Sequence, residues 1–364
     1  MTDIPPLEAE IRRRIAAAGP MPVSEFMALA LTDRRHGYYV TRDPIGARGD
    51  FITAPEISQM FGELIGLWMA ATWNRMGEPA SVRLIELGPG RGTMMADALR
   101  AAKVMPGFRE AAMLHLVEVS PLLQAQQQQT LAQVPLPMSW HSALSGVPAG
   151  PAIVVANEFF DALPVSQAVK RADGWHERRV AIGADGALEF TSAAEPLAPA
   201  PWPQAVRDAP EDSIFEWRSD ATGLELGRRI AREGGAALVI DYGHAKSAVG
   251  ETLQAVGGHA YADVLRAPGG VDLTAHVDFE ALARDIEAMG AKAFGPIAQA
   301  EFLQRLGIET RAQRLKAKAA TPAVAAAIDS AIARLIGEGE RGMGALFKAA
   351  AYAHPNLGRP PAFE

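Results

Sequence analysis

A glycine-rich turn that directly follows an apolar segment is the feature of this chain most typical of a ligand-binding site. Residues 82–87 have the apolar run expected of a buried parallel strand. Gly88, Gly90 and Gly92 lack a Cβ atom, so the backbone can turn tightly and a ligand can approach it closely. Thr93 is a plausible N-cap of a following helix. A strand, a glycine turn and a helix in this order predict a nucleotide-type cofactor site at the carboxyl end of the strand.

The spacing of the glycines and the acid Glu86 indicate which type of cofactor the site could bind. The pattern is Gly-x-Gly-x-Gly rather than the Gly-x-Gly-x-x-Gly of dinucleotide-binding proteins, and Glu86 stands at the end of the strand. A carboxylate there would repel a pyrophosphate, but it suits an ammonium or a sulfonium group. S-adenosylmethionine carries both groups. Because a glycine triplet alone is also typical of a plain tight turn, this prediction depends on the next strand.

The next strand covers residues 113–119 and carries an acid, Glu118, near its end. Ser120 and Pro121 fit the cap and the first turn of a helix. An acid that ends the strand after the glycine turn is the usual partner of ribose hydroxyls. The alternative is a solvated strand end. The glutamines at 126–129 are interpreted as a polar helix face without a function.

Two further strand ends bring polar side chains to the same edge of the predicted sheet. Asn157, Glu158 and Asp161 follow the apolar strand at 152–155. Residues that leave the carboxyl end of a strand face the ligand crevice, although Asn157 and Asp161 could instead cap a turn. Asp241 ends a fifth strand, where it could orient a substrate or satisfy a loop backbone.

His276 is the remaining polar candidate. It could accept a proton, contact a substrate, or be a well-bonded loop histidine, and the last alternative is slightly favoured. No cluster of His, Asp and Glu in the sequence has convincing metal-ligand spacing. Neither a Gly-x-Ser-x-Gly nucleophile elbow nor a phosphate loop ending in Gly-Lys-Ser/Thr is present. The candidates therefore gather around one predicted cofactor site, and no metal is predicted.

The order of the elements that must position these residues predicts an α/β fold. Strands are expected near 82–87, 113–119, 136–140, 152–156 and 236–241. Their alternation with helices implies a doubly wound, Rossmann-like parallel sheet with right-handed crossovers. An insertion contains a predicted antiparallel meander at 166–171, 175–182 and 187–191, a proline-rich extended loop at 196–210, and a helix at 221–232. A last strand within 342–353 would complete a terminal antiparallel hairpin of this sheet.

Helices are predicted on both sides of this core. Those before it lie at 7–18, at 22–31 and from 55 to about 76, and Thr53 with Glu56 gives the third a capping-box pattern. Residues 243–275 are expected to be mostly loop, followed by helices near 276–289, 299–306, 308–318 and 322–337. The predicted domains are an N-terminal helical and loop extension (1–78), a core with helical C-terminal additions (79–165 and 234–364), and the insertion (166–233).

Composition excludes several classes of protein. The 364 residues include 49% hydrophobic and 21% charged residues, which is typical of a soluble globular protein with two lobes. The net charge of −7 argues against non-specific nucleic-acid binding, and the absence of cysteine excludes disulfides and thiol catalysis. No apolar run is long enough to span a membrane. The first 14 residues do not resemble a signal or transit peptide, so a cytoplasmic location is expected.

Six motifs in order resemble the MidA-type family of S-adenosylmethionine-dependent methyltransferases. They are residues 49–58, 86–93, 116–121, 156–164, 240–244 and 272–279. The resemblance spans roughly residues 36–279 and is more specific than any single motif. It implies the class I methyltransferase version of the Rossmann-like sheet. The mitochondrial member of this family is a protein arginine methyltransferase that acts as a complex I assembly factor.

The resemblance implies S-adenosylmethionine as cofactor and an arginine of a complex I subunit as methyl acceptor, giving symmetric dimethylarginine. The expected cofactor-binding residues are Glu86, Gly88, Gly90, Gly92, Thr93, Glu118 and Asn157. A guanidinium is aligned best by carboxylates, so Glu158 and Asp161 are the first catalytic candidates, with Asn157 beside them. The candidate substrate-binding residues are Asp50, Thr53, Glu56, Asp241 and His276.

Other classes of function stay open at this stage. A non-catalytic relative could act as an assembly chaperone through the loop at 33–51 and the meander, but it would not need the intact acids and glycines. A nicotinamide-dependent oxidoreductase is disfavoured by the glycine spacing and by Glu86. A small-molecule methyltransferase is a variant that the sequence does not exclude. The expected partner is a protein substrate, and the apolar helix at 55–76 could serve a homodimer interface or, as favoured, the core.

Overall fold

The chain forms two compact units in a computed structural model that describes residues 4–42, 46, 52–258, 260–339 and 342–364. The first unit comprises Met1–Phe51, Asp161–Ser219 and Lys246–Asp278, and the second comprises Ile52–Phe160, Asp220–Ala245 and Phe279–Glu364. These bounds differ from the predicted domains, because the N-terminal segment and residues 246–278 belong to the same unit as the inserted meander.

The second unit is built on a parallel sheet that ends in a pair of antiparallel strands. Its strands follow the spatial order Lys292–Ala298, Phe347–Ala353, Gly235–His244, Ala152–Asn157, Val82–Leu87, Ala112–Val117 and Met138–His141. Neighbours from Gly235–His244 to Met138–His141 pair in parallel, whereas Phe347–Ala353 is antiparallel to both of its neighbours. The predicted Rossmann-like fold and the last strand within 342–353 are therefore confirmed. The last strand pairs with Lys292–Ala298, from which three helices separate it, so the two strands do not form the predicted hairpin. The strand Lys292–Ala298 was not predicted from the sequence.

Helices of the second unit cover this sheet. Their bounds are Ala54–Ile57, Gln59–Arg75, Thr93–Ala101, Pro106–Ala111, Pro121–Thr130, Ala221–Glu233, Phe279–Ala288, Gln299–Arg305, Ile308–Lys316 and Pro322–Ile336, with 3-10 turns at Ala102–Val104, Leu144–Gly146 and Pro355–Leu357. Gln59–Arg75 is buried along most of its length, with Phe61, Ile65 and Trp68 fully enclosed in the core. The apolar composition of this segment thus serves the core of the unit.

The predicted start of that long helix is wrong. The chain forms a short helix, Ala54–Ile57, and then breaks at Ser58, whose extended backbone restarts the helix. The Ser58 hydroxyl accepts the Met60 N–H, while the Thr53 side chain makes no capping hydrogen bond. The Glu56 carboxylate accepts a hydrogen bond from the Thr93 hydroxyl, so it does not close the predicted capping box.

The first unit combines N-terminal helices with short antiparallel sheets. Its helices are Pro6–Ala18, Val23–Thr32, Tyr38–Thr41 and Gln204–Arg207, and its strands are Met21–Pro22, Val165–Arg171, Gly174–Ile182, Leu188–Ser192, Ile214–Arg218, Gln254–Gly257, Ala260–Ala262, Asp272–Thr274 and Val277–Asp278. The meander forms as predicted, with its middle strand antiparallel to both neighbours. The strand Ile214–Arg218 was missed, and residues 243–275 contain strands where loop was expected. These strands are short and pair with distant segments, so local periodicity gives little sign of them.

We expect Gly66→Ala to destabilise the second unit. A Cβ atom at Gly66 would clash with the backbone of Ala98 in the neighbouring helix. We expect the free energy of unfolding to fall by about 1–3 kcal/mol, although alanine gains ~1 kcal/mol in helix propensity. Denaturant unfolding followed by circular dichroism measures this. Gly146→Ala is the control, since its Cβ atom would make an ordinary 3.7 Å contact with His141. Equal midpoints for the two variants would contradict the close packing.

Candidate cofactor site

Strand register places three loops at one edge of the sheet in the second unit. Leu87 pairs with Val117 on one side and with Ala156 on the other. The Gly88 N–H donates to the Val117 carbonyl at 3.0 Å, and the Glu158 N–H donates to the Ile240 carbonyl at 2.9 Å. The loops that follow the three strands therefore start side by side, as the sequence predicted.

The glycine turn has backbone angles that favour glycine. Gly88, Gly90 and Gly92 have φ values of 62°, 53° and 80°. A Cβ atom at Gly88 would lie 2.8 Å from the Phe159 ring, so this position is also closed by packing. The helix begins at Thr93 with Gly92 as its N-cap residue, so the prediction of Thr93 as the cap is wrong. The Thr93 hydroxyl instead donates to Glu56 at 2.6 Å, which fastens the turn to the segment before the long helix.

Glu86 is a buried acid at the end of the central strand. Its side chain is 2% exposed, and its Oε2 atom has no hydrogen-bond partner among the described residues. Burial, followed by the nearby charge of Glu118, raises the pKa of Glu86 to about 8. An unpartnered buried oxygen is costly unless a ligand completes it. A cationic group, such as the ammonium or sulfonium of S-adenosylmethionine, fits this requirement.

Glu118 is also buried, but its carboxylate is held on both oxygens. Oε1 accepts the Ser120 N–H at 2.8 Å, and Oε2 accepts from the Gln127 amide at 3.2 Å. Burial raises its pKa, while these hydrogen bonds act in the opposite direction. Ser120 caps the next helix as predicted, since its hydroxyl accepts the Leu123 N–H. A carboxylate oxygen has two lone pairs, so each oxygen can still accept a hydrogen bond from a ribose hydroxyl.

Gln127 was interpreted from the sequence as part of a polar helix face, and the structure contradicts this for that residue. Its side chain is fully buried and contacts both Glu118 and the carbonyl of Gly90 in the glycine turn. A run of glutamines on a helix gives no sign of which one is buried, because the partners come from other elements. The sequence alone therefore does not predict the burial of Gln127.

The loop after the fourth strand presents Asn157 and Glu158. Glu158 has a left-handed backbone with a φ of 50°, which is unusual for a residue with a Cβ atom. Its Oε1 atom accepts the Ala54 N–H and the Asn157 amide, each at 3.0 Å. The Asn157 Oδ1 atom is buried and has no partner in the part of the chain that the structure describes. It is a second atom positioned to receive a donor from a ligand.

Asp241 shapes this loop from the neighbouring strand. It is fully buried, and its carboxylate accepts the N–H groups of Phe159, Phe160 and Tyr242 at 3.2, 2.9 and 2.9 Å. Of the two alternatives for Asp241, this geometry supports the loop-holding one, whereas a substrate contact has no support here.

The predicted substrate-binding residues Thr53 and Glu56 contact the glycine turn and each other. The Glu56 carboxylate accepts from the Thr93 hydroxyl and lies 3.8 Å from the Arg91 guanidinium. The Thr53 carbonyl accepts the Glu56 N–H.

Asp161 and His276 belong to the first unit, where Arg218 joins their segments. The Arg218 guanidinium donates to the carbonyls of Asp161 and His276 at 3.2 and 2.7 Å, and also to Ala275. Asp161 is 5% exposed, and its carboxylate accepts the Ala162 N–H at 2.9 Å. The structure therefore brings these two predicted residues together. They lie in a different unit from Glu86, Glu118 and Asp241. Asp50 lies outside the described residues.

The fold and these residues define an S-adenosylmethionine-dependent methyltransferase of the Rossmann-like class. The family model described as "Putative S-adenosyl-L-methionine-dependent methyltransferase" matches residues 64–297, and the chain belongs to this family. A similar solved structure, from Burkholderia thailandensis with S-adenosyl-homocysteine bound, is 32% identical, has a TM-score of 0.84, and matches 98% of this chain and 94% of its own. S-adenosylmethionine is therefore the cofactor, and the buried unpartnered atoms of Glu86 and Asn157 fit it.

Curated relatives carry a more specific name. The protein arginine methyltransferase NDUFAF7 homolog, mitochondrial, from Drosophila melanogaster is 41% identical over 86% of this chain and 77% of its own length. The Homo sapiens protein arginine methyltransferase NDUFAF7, mitochondrial, is 39% identical over 88% and 78%. These relatives are described as mitochondrial, which contradicts the prediction of a cytoplasmic location; absence of a recognisable leader was too weak a basis for it. None of the described helices has the length and apolar character needed to cross a bilayer.

The buried acid Glu86 predicts proton-linked binding of the cofactor. Without a cationic ligand, its pKa of about 8 keeps the side chain protonated at neutral pH. A cation favours the carboxylate, so binding should release a proton. The affinity should then rise with pH, by at most about tenfold per pH unit, and level off above about pH 8. Calorimetric titration with S-adenosylmethionine in buffers of different ionisation enthalpy measures the released proton.

Glu86→Gln is the matched variant for this experiment, because glutamine resembles the protonated acid in shape and charge. We expect weaker binding, little proton release and a flatter pH profile. Glu110→Gln, at an exposed position, should behave like the unmodified protein. Unchanged proton release in Glu86→Gln would show that another group takes up the charge.

Proposed function

We propose that this chain is a protein arginine N-methyltransferase that forms symmetric dimethylarginine on a subunit of respiratory complex I and so supports assembly of the complex. The curated relatives named protein arginine methyltransferases support the acceptor type, since the match covers most of both chains. The complex I subunit and the symmetric product rest on the family resemblance of the ordered motifs.

The observation that carries the proposal is the position of Glu158. It follows a strand of the cofactor sheet directly, and hydrogen bonds from Ala54 and Asn157 fix one of its carboxylate oxygens. A fixed carboxylate can pair with a guanidinium and hold one of its nitrogens in line with a methyl group. Asp161, which is buried in the first unit, is the second candidate carboxylate.

The cofactor supplies a methyl group bound to a positively charged sulfur. As the new bond forms between a guanidinium nitrogen and the methyl carbon, the carbon–sulfur bond breaks and its electron pair stays on sulfur. The nitrogen must lose a proton, and full deprotonation before attack is disfavoured by the high pKa of arginine. In the proposed role, Glu158 polarises that nitrogen and receives the proton late in the step. Positioning alone can contribute ~7–11 kcal/mol.

The acceptor test uses the purified protein, isotopically methyl-labelled S-adenosylmethionine and isolated complex I lacking the modification. We expect label on arginine of one subunit, and mass spectrometry with fragmentation should identify symmetric dimethylarginine. Label on another residue type or only on a small metabolite would overturn the arginine proposal. It would leave the cofactor assignment intact.

Glu158→Gln should reduce methyl transfer sharply while cofactor binding survives. Loss of a proton acceptor of this kind typically costs about 10²–10⁴-fold in rate. The amide can still accept the Ala54 N–H, so the loop should keep its shape. Single-turnover assays give the rate, and calorimetry gives the affinity for S-adenosyl-homocysteine. Near-normal turnover would exclude the proposed role, and Glu110→Gln is the exposed control.

A further inference from the structure

Gln127 joins three elements around the cofactor site. It lies on the helix Pro121–Thr130 and is fully buried. Its Nε2 atom donates to the Gly90 carbonyl at 2.8 Å and to the Glu118 carboxylate at 3.2 Å. Its Oε1 atom accepts from the Trp140 indole at 2.9 Å. Both N–H groups of the Gln127 amide and one lone pair of its oxygen are therefore engaged in hydrogen bonds.

Trp140 fixes which end of the Gln127 amide faces the cofactor site. An indole N–H can only donate, so it must meet the amide oxygen rather than the nitrogen. The two N–H groups of Gln127 are then directed at Gly90 and Glu118, both of which present acceptors. This arrangement requires one side-chain atom that accepts a hydrogen bond and another that donates two. A glutamate carboxylate has the same shape but cannot donate these hydrogen bonds.

The two groups that accept hydrogen bonds from Gln127, the Gly90 carbonyl and the Glu118 carboxylate, both gain stability from them. Gly90 lies in the glycine turn with a φ of 53°, in the region that favours glycine. Glu118 is buried with a raised pKa, and the Gln127 hydrogen bond opposes that rise by stabilising the charged form. One amide thus favours the shape of the turn and the charge and direction of the carboxylate.

We propose that Gln127 is a positioning residue for the cofactor, which orients the Glu118 carboxylate toward the ribose hydroxyls and ties the glycine turn to it. Gln127 acts through these two groups and need not touch the cofactor. The proposal depends on the cofactor assignment and is independent of the methyl acceptor. A failure of the arginine test would leave it unaffected.

The test compares two ligands in the whole protein and in Gln127→Glu. The variant keeps an acceptor for Trp140 but loses both donors and sets a second carboxylate against Glu118. Calorimetry measures Kd for S-adenosyl-homocysteine and for its 2′,3′-dideoxyribose analogue. We expect S-adenosyl-homocysteine to bind about 10- to 100-fold more weakly to the variant. The hydroxyl factor is the Kd of the dideoxyribose analogue divided by the Kd of S-adenosyl-homocysteine. In Gln127→Glu this factor should fall toward one.

That hydroxyl factor separates positioning from a merely structural role. A general loss of stability would weaken both ligands equally and leave the ratio of their Kd values unchanged. An unchanged ratio in Gln127→Glu would therefore overturn the proposal. Gln128→Glu places the same charge on an exposed position of the same helix and should leave both Kd values unaltered.

A second variant keeps the proposal testable if Gln127→Glu fails to fold. Trp140→Phe removes the donor that orients the amide without touching Glu118 or Gly90. We expect a smaller loss of S-adenosyl-homocysteine affinity in the same direction and a reduced hydroxyl factor. A folded Trp140→Phe protein with an unchanged hydroxyl factor would overturn the proposal.

Discussion

Parallel pairing of three neighbouring strands is the constraint on which the cofactor site depends. Leu87, Val117 and Ala156 share one level of the sheet, so the residues that follow them must occupy the same edge. Glu118 and Glu158 follow two of these strands, while Glu86 lies one residue before the end of the central one. No single loop could bring these acids together. A register shift of one residue would turn Glu86 to the opposite face of the sheet.

The buried carboxylates of the site differ in what surrounds them. Asp241 receives backbone N–H groups, and Glu118 receives an N–H and an amide, so their charge is compensated inside the protein. Glu86 has an oxygen without a partner in the described part of the chain, and burial raises its pKa. The carboxylate of Asp241 holds a loop in place, that of Glu118 keeps lone pairs for a ligand, and that of Glu86 is completed by a ligand.

Local patterns were sufficient to predict most of the cofactor sheet. Apolar runs, the glycine turn and the Ser120-Pro121 helix start are each encoded within a few neighbouring residues. The features that were missed depend on partners distant in sequence. Glu56 binds Thr93 rather than closing a capping box, and Gln127 is buried because Trp140 and Gly90 lie beside it. The compact units likewise combine distant segments, since residues 246–278 belong to the same unit as the meander.

The glycine turn is held from two sides, and this has an energetic consequence. Glycines have the largest freedom in the unfolded or mobile chain, so a turn built on three of them would lose much entropy when a cofactor orders it. Thr93, bound to Glu56, restrains the end of the turn, and Gln127 restrains its middle at Gly90. Both restraints are hydrogen bonds of the protein's own side chains, so folding itself meets part of the ordering cost. Binding energy from the cofactor can then appear as affinity rather than being consumed in shaping the loop, which is the general advantage of a preorganised site.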